Sequence, residues 1–211
     1  MTKILHISCS PRGKQAESFR LSRKIVQALL SKDSTAIVVA RNLGDRSIAH
    51  VDPDYAVSQG GPVDVSTDGT MVQSEDYIRE LEAADIVVIG TPMHNLSVPS
   101  TLKAWIDHIV RARRTFNVTP QGKVGTLRDR PVFVAIASGG RFSGERARQP
   151  DFLSPYLVVV LGMIGLHNLT FFSVQGTGSG PEAVLKTRAE TDLIIADYFA
   201  SIGEMALLNA R

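Results

Sequence analysis

Three short segments of this 211-residue chain place hydroxyls, prolines and glycines where a polar ligand could be held. The first, Ser8-Cys9-Ser10-Pro11-Arg12 and onward to Ser18, is a hydroxyl-rich turn leading into a helical pattern. Ser10 and Ser18 can donate to phosphate oxygens, the opening amides of the helix point the same way, and Arg12 adds charge. The same serines also serve as ordinary helix caps, and that alternative stays open. The second segment, Pro92-Met93-His94-Asn95-Leu96, closes an apolar run and precedes another proline, Pro99. Pro92 fixes a turn, and the amides of Met93, His94, Asn95 and Leu96 can meet the polar edge of a flat heterocycle. The Met93 sulfur offers a polarizable face to an aromatic ring. The third segment, Ser138-Gly139-Gly140, is backbone that a ring can approach closely because two side chains are missing.

Five segments read as buried strands that would position these loops: 3–8, 35–40, 85–90, 131–137 and 168–174. Most are nearly continuous in apolar residues, the pattern of strands covered on both faces. Helical patterns lie between them. Residues 18–31 line up Leu21, Ile25, Ala28 and Leu29, and residues 70–84 open with Thr70 and Gln73 as a capping box. From Pro99 the stripe Leu102, Trp105, Ile106 and Ile109 marks another helix. Two more are expected over 152–165 and from Pro181 through Ile194, Ile195, Phe199 and Ile202. Strands alternating with helices imply right-handed crossovers and a parallel sheet. The count matches a single flavodoxin-like, doubly wound α/β domain over 1–211, strand order 2-1-3-4-5, with helices on both faces. Residues 115–127 read as a small hairpin turning at Pro120-Gln121-Gly122, and 42–69 as a long irregular excursion.

In such a sheet, ligands sit beyond the carboxyl ends of the strands, where all three segments converge. The first lacks both Gly-x-Gly-x-x-Gly and a terminal Gly-Lys-Ser/Thr, so dinucleotide and triphosphate loops are excluded. No acidic residue follows the first strand, which excludes a phosphorylated receiver. One phosphate site beside one ring site has the shape of FMN. A net charge of +2 is too small to argue for nucleic acid or an anionic membrane. The basic run Arg111-Ala112-Arg113-Arg114 reads as a solvated face at a helix C-terminus. Cys9 is the only cysteine, and no histidine pair has ligand spacing, so no metal site is expected. Cys9 itself is either redox-active or a packing residue. Asp107 and His108, adjacent on a helix, diverge too far to be a catalytic pair. No signal segment or membrane span is apparent, so a soluble cytoplasmic protein is expected.

The segment 92–116, PMHNLSVPSTLKAWIDHIVRARRTF, resembles that of FMN-dependent NADH:quinone oxidoreductases of the azoreductase type. The likeness continues through SPRG with Ser18, SGG at 138–140, LSPYLVVVLGMIGL at 153–166 and GSGPE at 178–182. It implies a homodimeric flavoenzyme with a ping-pong cycle: NADH or NADPH reduces FMN, and a quinone or azo compound then takes two electrons in the same pocket. It also implies that the partner subunit contributes to the pocket through the hairpin and the 42–69 excursion. Carried over by position, Ser10, Glu17 (through its amide) and Ser18 hold phosphate. Pro92, Met93, His94, Asn95 and Leu96 hold the ring, with Ser138, Gly139 and Gly140 at its far end.

The departures are informative. Ala16 and Glu17 stand where relatives carry serine and glutamine, so one hydroxyl is lost and a carboxylate must point away from the phosphate. His94 stands where tyrosine is common. With Asn95 it is the catalytic candidate, its imidazole able to protonate a substrate, unless only its backbone matters. Leu96 replaces phenylalanine and, with Val118 and Val160, suggests a roomier pocket. The GTGSG run at 176–180 reads as a loop near the site leading into a helix, not a nucleotide motif. A flavodoxin-type electron carrier and a flavin-free interaction module on the same fold are the rival readings.

Overall fold

The computed structural model describes residues 1–45, 48–60 and 69–202. Five parallel strands form the sheet: β1 (Lys3–Ser8), β2 (Ile37–Asn42), β3 (Ile86–Pro92), β6 (Val132–Ser138) and β7 (Leu169–Gln175). Their order, β2-β1-β3-β6-β7, is the expected doubly wound order with the hairpin strands skipped. The hairpin itself pairs β4 (Phe116–Thr119) with β5 (Gly122–Gly125) across Pro120 and Gln121.

Although the strand sequences are continuous in apolar residues, the pleat still sorts them by period two. Leu5, Ile7, Val87, Ile89, Val132, Val134 and Ile136 enter one core. Ile4, Ile86, Val88, Phe133 and Ala135 enter the other. Helices α3 (Thr70–Ala83), α4 (Ser100–Ile109) and α5 (Ser154–Gly162) cover the first face. Helices α1 (Glu17–Lys32) and α6 (Pro181–Ser201) cover the second. The α4 stripe Leu102, Trp105, Ile106 and Ile109 is buried as its spacing predicts.

Four expectations change. The second strand runs 37–42 and lies at the sheet edge, so Ile37 and Val39 are 43% and 41% exposed and the segment is not buried. The 42–69 excursion is not wholly irregular, for it contains helix α2 (Pro53–Gly60); residues 46–47 and 61–68 lie outside those described. Asp52 and Pro53 form its cap and first turn, with Asp52 Oδ1 accepting from the Tyr55 amide at 2.8 Å. The capping box does not form. Gly69 precedes α3 without a side-chain cap, and Asp52 Oδ2 accepts from the Thr70 amide at 3.3 Å. Gln73 instead accepts from the Ala49 amide through Oε1 at 3.1 Å.

The basic run is no solvated face either. Arg111, only 6% exposed, pairs with Glu75 at 3.0 Å and donates to Ser74 Oγ at 3.1 Å. Arg114 reaches Glu75 and Glu82 at 3.1 and 2.6 Å. Arg113 donates to the Ser58 carbonyl at 2.9 Å. Together they clamp the segment after α4 to α3 and α2. Buried Arg130 likewise caps the end of α3 through the carbonyls of Leu81 and Ala84.

Helix α1 lies tightly on β3 at Gly90. A Cβ there would come within 2.5 Å of Ser22 Oγ and 2.8 Å of the Ser18 carbonyl oxygen. Ser22 Oγ lies 3.1 Å from the Phe19 carbonyl, to which it can donate, and shares a 2.8 Å hydrogen bond with His6 Nε2. Burial, with the charge of Arg23, pushes the buried His6 imidazole down to about 4. Burial likewise lowers His108, whose Nε2 lies 2.9 Å from the Ala49 carbonyl. A histidine depressed in the fold leaves stability intact above its unfolded value near 6.5. Stability is then lost as pH falls toward 4, where the folded state begins to bind the same proton. His6 alone should cost about 2 kcal/mol by pH 5. Urea unfolding at pH 7.5 and pH 5 should show at least that drop, and His6→Gln should remove its share, leaving that of His108. An equally steep loss in the variant would assign the acid sensitivity elsewhere.

Candidate active site

The three loops meet at the carboxyl ends of β1, β3 and β6, the three central strands of the sheet. After β1, the chain makes a 3-10 turn over Gly13–Gln15 and then starts α1 at Glu17. Ala16 stands at the N-cap and supplies no side-chain hydrogen bond. The first-turn amides of α1 have no intrahelical acceptor by geometry. The Ser18 hydroxyl is buried, at 1% exposure, with no hydrogen-bond partner. A buried hydroxyl is seldom left so, and here it stands beside an uncapped helix start. Ser10, also buried, accepts from the Arg12 amide at 3.3 Å through Oγ, while the Arg12 side chain is exposed. The turn after β2 presses against this loop: a Cβ on Gly44 would fall 2.0 Å from the Ser10 carbonyl oxygen.

The Glu17 carboxylate is turned toward α6. It accepts from Arg20 Nε at 2.6 Å and from Arg188 Nε at 2.8 Å. Arg20 and Lys24 in turn hold Asp192 at 3.1 and 2.6 Å. Cys9 is fully buried, and burial pushes its thiol far above the usual range, so it is a packing residue. Its carbonyl accepts from Thr101 Oγ1 at 2.8 Å, tying the phosphate-type loop to α4.

The β3–α4 loop differs from the sequence expectation. The Met93 amide is donated to the Ala137 carbonyl at 2.8 Å and the His94 amide to the Ser97 carbonyl at 3.0 Å. Neither can meet a ring edge. Ser97 returns its own amide to His94, closing a tight turn with Asn95 at φ 50° and Leu96 at φ 71°. Two successive left-handed residues are the signature of a type I′ turn, tolerable for asparagine and strained for leucine. The amides of Asn95 and Leu96, at the turn's tip, are the ones this loop can offer. His94 is exposed at the head of the turn. Val160 is buried in the core and Val118 is 74% exposed on the hairpin, so within one chain neither lies against this loop's tip as an exposed neighbour would have to.

After β6, the loop of Ser138, Gly139 and Gly140 is held by the GTGSG run. The amides of Thr177, Gly178 and Gly176 donate to the carbonyls of Ser138, Gly139 and Gly140 at 3.1, 3.1 and 3.2 Å. Thr177 Oγ1 adds a second bond to the Ser138 carbonyl at 3.1 Å. Gly139 faces open space, but a Cβ on Gly140 would meet Gln149 Oε1 at 2.1 Å. Gln149 is the residue that the sequence reading missed. Its Nε2 lies 3.2 Å from Met93 Sδ and 3.3 Å from Ser138 Oγ, joining the second and third loops. It arrives on an aperiodic loop, so no pattern announces it.

Among the described residues no cluster of three potential metal ligands occurs. Asp107 pairs with Lys103 at 2.6 Å, while His108 faces Tyr55 and Tyr77; the two side chains do not meet a common site. An apolar cleft of about 150 Å³ lies among Ile4, Ile37, Val39 and Ala84. It sits at the opposite end of the sheet and carries no comparable chemistry.

A family model described as the flavodoxin-like fold matches residues 2–196. The chain is 44% identical over 190 residues to FMN-dependent NADH:quinone oxidoreductase 4 of Pseudomonas fluorescens, covering 90% of this chain and 92% of that protein. It is 40% identical to FMN-dependent NADH:quinone oxidoreductase 5 of Burkholderia lata, again over 190 residues, covering 90% and 93%. An azoreductase structure from Bacillus anthracis superposes with a TM-score of 0.82 at 24% identity, covering 96% of this chain and all of that one. At that identity the superposition establishes the fold alone. The chain therefore belongs to the FMN-dependent NADH:quinone oxidoreductase family, an oxidoreductase family within the flavodoxin-like fold.

Proposed function

We propose that the chain binds FMN across the three loops and passes two electrons from NADH or NADPH to a quinone or an azo compound in a ping-pong cycle. The observation that carries this is the buried, partnerless Ser18 hydroxyl at the uncapped start of α1. That pairing fits a terminal phosphate and has no use within the apoprotein. When bound, FMN supplies the hydride acceptance and two-electron delivery, which no side chain here can perform.

The chain's own residues bind and orient. Ser10, Ser18 and the Glu17 amide receive the phosphate. Pro92 and Met93 set the ring's resting surface, and the turn over His94, Asn95 and Leu96 offers the Asn95 and Leu96 amides to its edge. Ser138, Gly139 and Gly140 close the far end. His94 is the titratable side chain that the turn presents for protonating a reduced substrate, beside Asn95 as a hydrogen-bonding group.

A second copy completes the pocket in this reading. Helix α5 is apolar on all sides, yet Val158 and Val159 are 50% and 70% exposed, with Phe152 at 58% just before it. The hairpin beside it exposes Val118 and Val124, and its Gly125 packs on Gly165 at the end of α5. A homodimer burying this face is expected, and Val159→Glu should halve the solution mass measured by light scattering. Unchanged mass would move the interface elsewhere. No described helix is long and apolar enough to cross a membrane.

The decisive experiment is an anaerobic visible spectrum of the purified protein with FMN. NADH should bleach the flavin bands, and a benzoquinone should restore them. Flavin that stays oxidised with both NADH and NADPH would make the chain a carrier, and absence of binding would remove the flavin reading. Ser18→Ala gives an independent check with two opposite signs. FMN affinity should fall about tenfold, the weight of one hydrogen bond to a charged group. The apoprotein should keep or gain stability, because an unsatisfied buried hydroxyl is lost.

A further inference from the structure

Glu17 places a carboxylate in the first turn of the helix whose start must receive a dianion. Left to itself, that carboxylate would be drawn to the helix's own positive end and would repel the phosphate. The structure holds it elsewhere. Arg188, on α6 and 171 positions away in sequence, donates from both Nε and Nη2 to Glu17 Oε2, while Arg20 Nε takes Oε1. The Glu17 side chain is only 12% exposed in this grip. Arg20 is shared with Asp192 of α6, and Lys24 reaches the same aspartate, so the grip is part of a band between α1 and α6. No cap and no other acidic side chain occupies the first turn.

We propose that Arg188 is a positioning residue for the phosphate site: it holds the Glu17 carboxylate on the α6 side and so keeps the start of α1 free for the dianion. This inference rests on the FMN reading above. It explains why a chain with Glu17 in its phosphate loop can still bind an anion there. The arrangement makes Arg188 and Glu17 one functional unit, although Arg188 stands on α6 and its hydrogen bonds go to the Glu17 carboxylate.

The test is a double-mutant cycle read by quenching of flavin fluorescence on titration into apoprotein. Arg188→Ala should weaken FMN binding about tenfold at low ionic strength, less in high salt, because a nearby carboxylate held by Arg20 alone is free to turn back toward the helix start and acts through a screened charge. Glu17→Gln should bind at least as tightly as wild type. In the Glu17→Gln background, Arg188→Ala should then have no further effect. Arg188→Lys should restore most of the affinity, since the charge returns without the fork. Riboflavin, which has the ring but no phosphate, should bind wild type and Arg188→Ala equally. An Arg188→Ala protein that binds FMN as wild type does overturns the inference. So does a double variant as weak as Arg188→Ala alone, or equal weakening toward riboflavin, since either marks a general loosening of α6. Wild type that binds no FMN would instead remove the reading on which the inference rests.

Discussion

Between strand β3 and helix α1 there is no room for a side chain, and Gly90 is where that constraint bites. The close approach fixes the height of α1 on the sheet and hence the place of its first turn. The Ser22 hydroxyl and the Ser18 carbonyl meet the strand at that contact; the Ser22 hydroxyl is engaged by His6, and the Ser18 hydroxyl has no hydrogen-bond partner among the described residues. The core and the candidate site are thus set by the same contact. A bulkier residue at Gly90 would shift the helix start relative to the loops from β3 and β6, whatever it did to stability.

Around this contact the remaining interactions act as braces. On one face, the arginines that follow α4 bind the carboxylates of α3, and Arg130 closes the end of that helix. On the other, the α1–α6 band joins two helices that flank β3, β6 and β7. Most of these pairs are partly exposed, so each adds little to stability taken singly. Their role is geometric: they fix where long connections land. Asp52 does the same without an ion pair among the described residues, giving one carboxylate oxygen to the start of α2 and the other to the start of α3.

The layered architecture was legible because continuous apolar strands alternating with amphipathic helices have few other solutions. The hairpin announced itself through Pro120-Gln121-Gly122. The expected strand order already put β2 at the edge; its exposure was not legible, since Ile37-Val38-Val39 reads as buried when only its composition is considered. Helix α2 was hidden by the surrounding polar residues, although Asp52-Pro53 is a recognisable helix start. At the site, the three loops and their serines, glycines and prolines stood out in the sequence. What each amide does could not be read there, because Met93 and His94 give theirs to Ala137 and Ser97, partners chosen by tertiary geometry. Gln149 and Arg188 were invisible for the same reason. Each reaches the site from an element whose pattern says nothing about where its polar tip lands.

The GTGSG run takes on a further meaning once its hydrogen bonds are counted by direction. Every one that joins the run to the loop of Ser138, Gly139 and Gly140 is donated toward that loop, and the Ser138 carbonyl receives two. The loop's acceptors are engaged before any ligand arrives, while its hydrogen-bond donors are not consumed by this contact. Such a surface discriminates by polarity and not only by shape. A molecule whose edge carries carbonyl oxygens and ring nitrogens finds complementary groups, whereas one presenting amines would strand its own N–H bonds against donors. Under the proposed FMN reading, the turn that follows the last strand would thereby help decide which heterocycles this loop accepts.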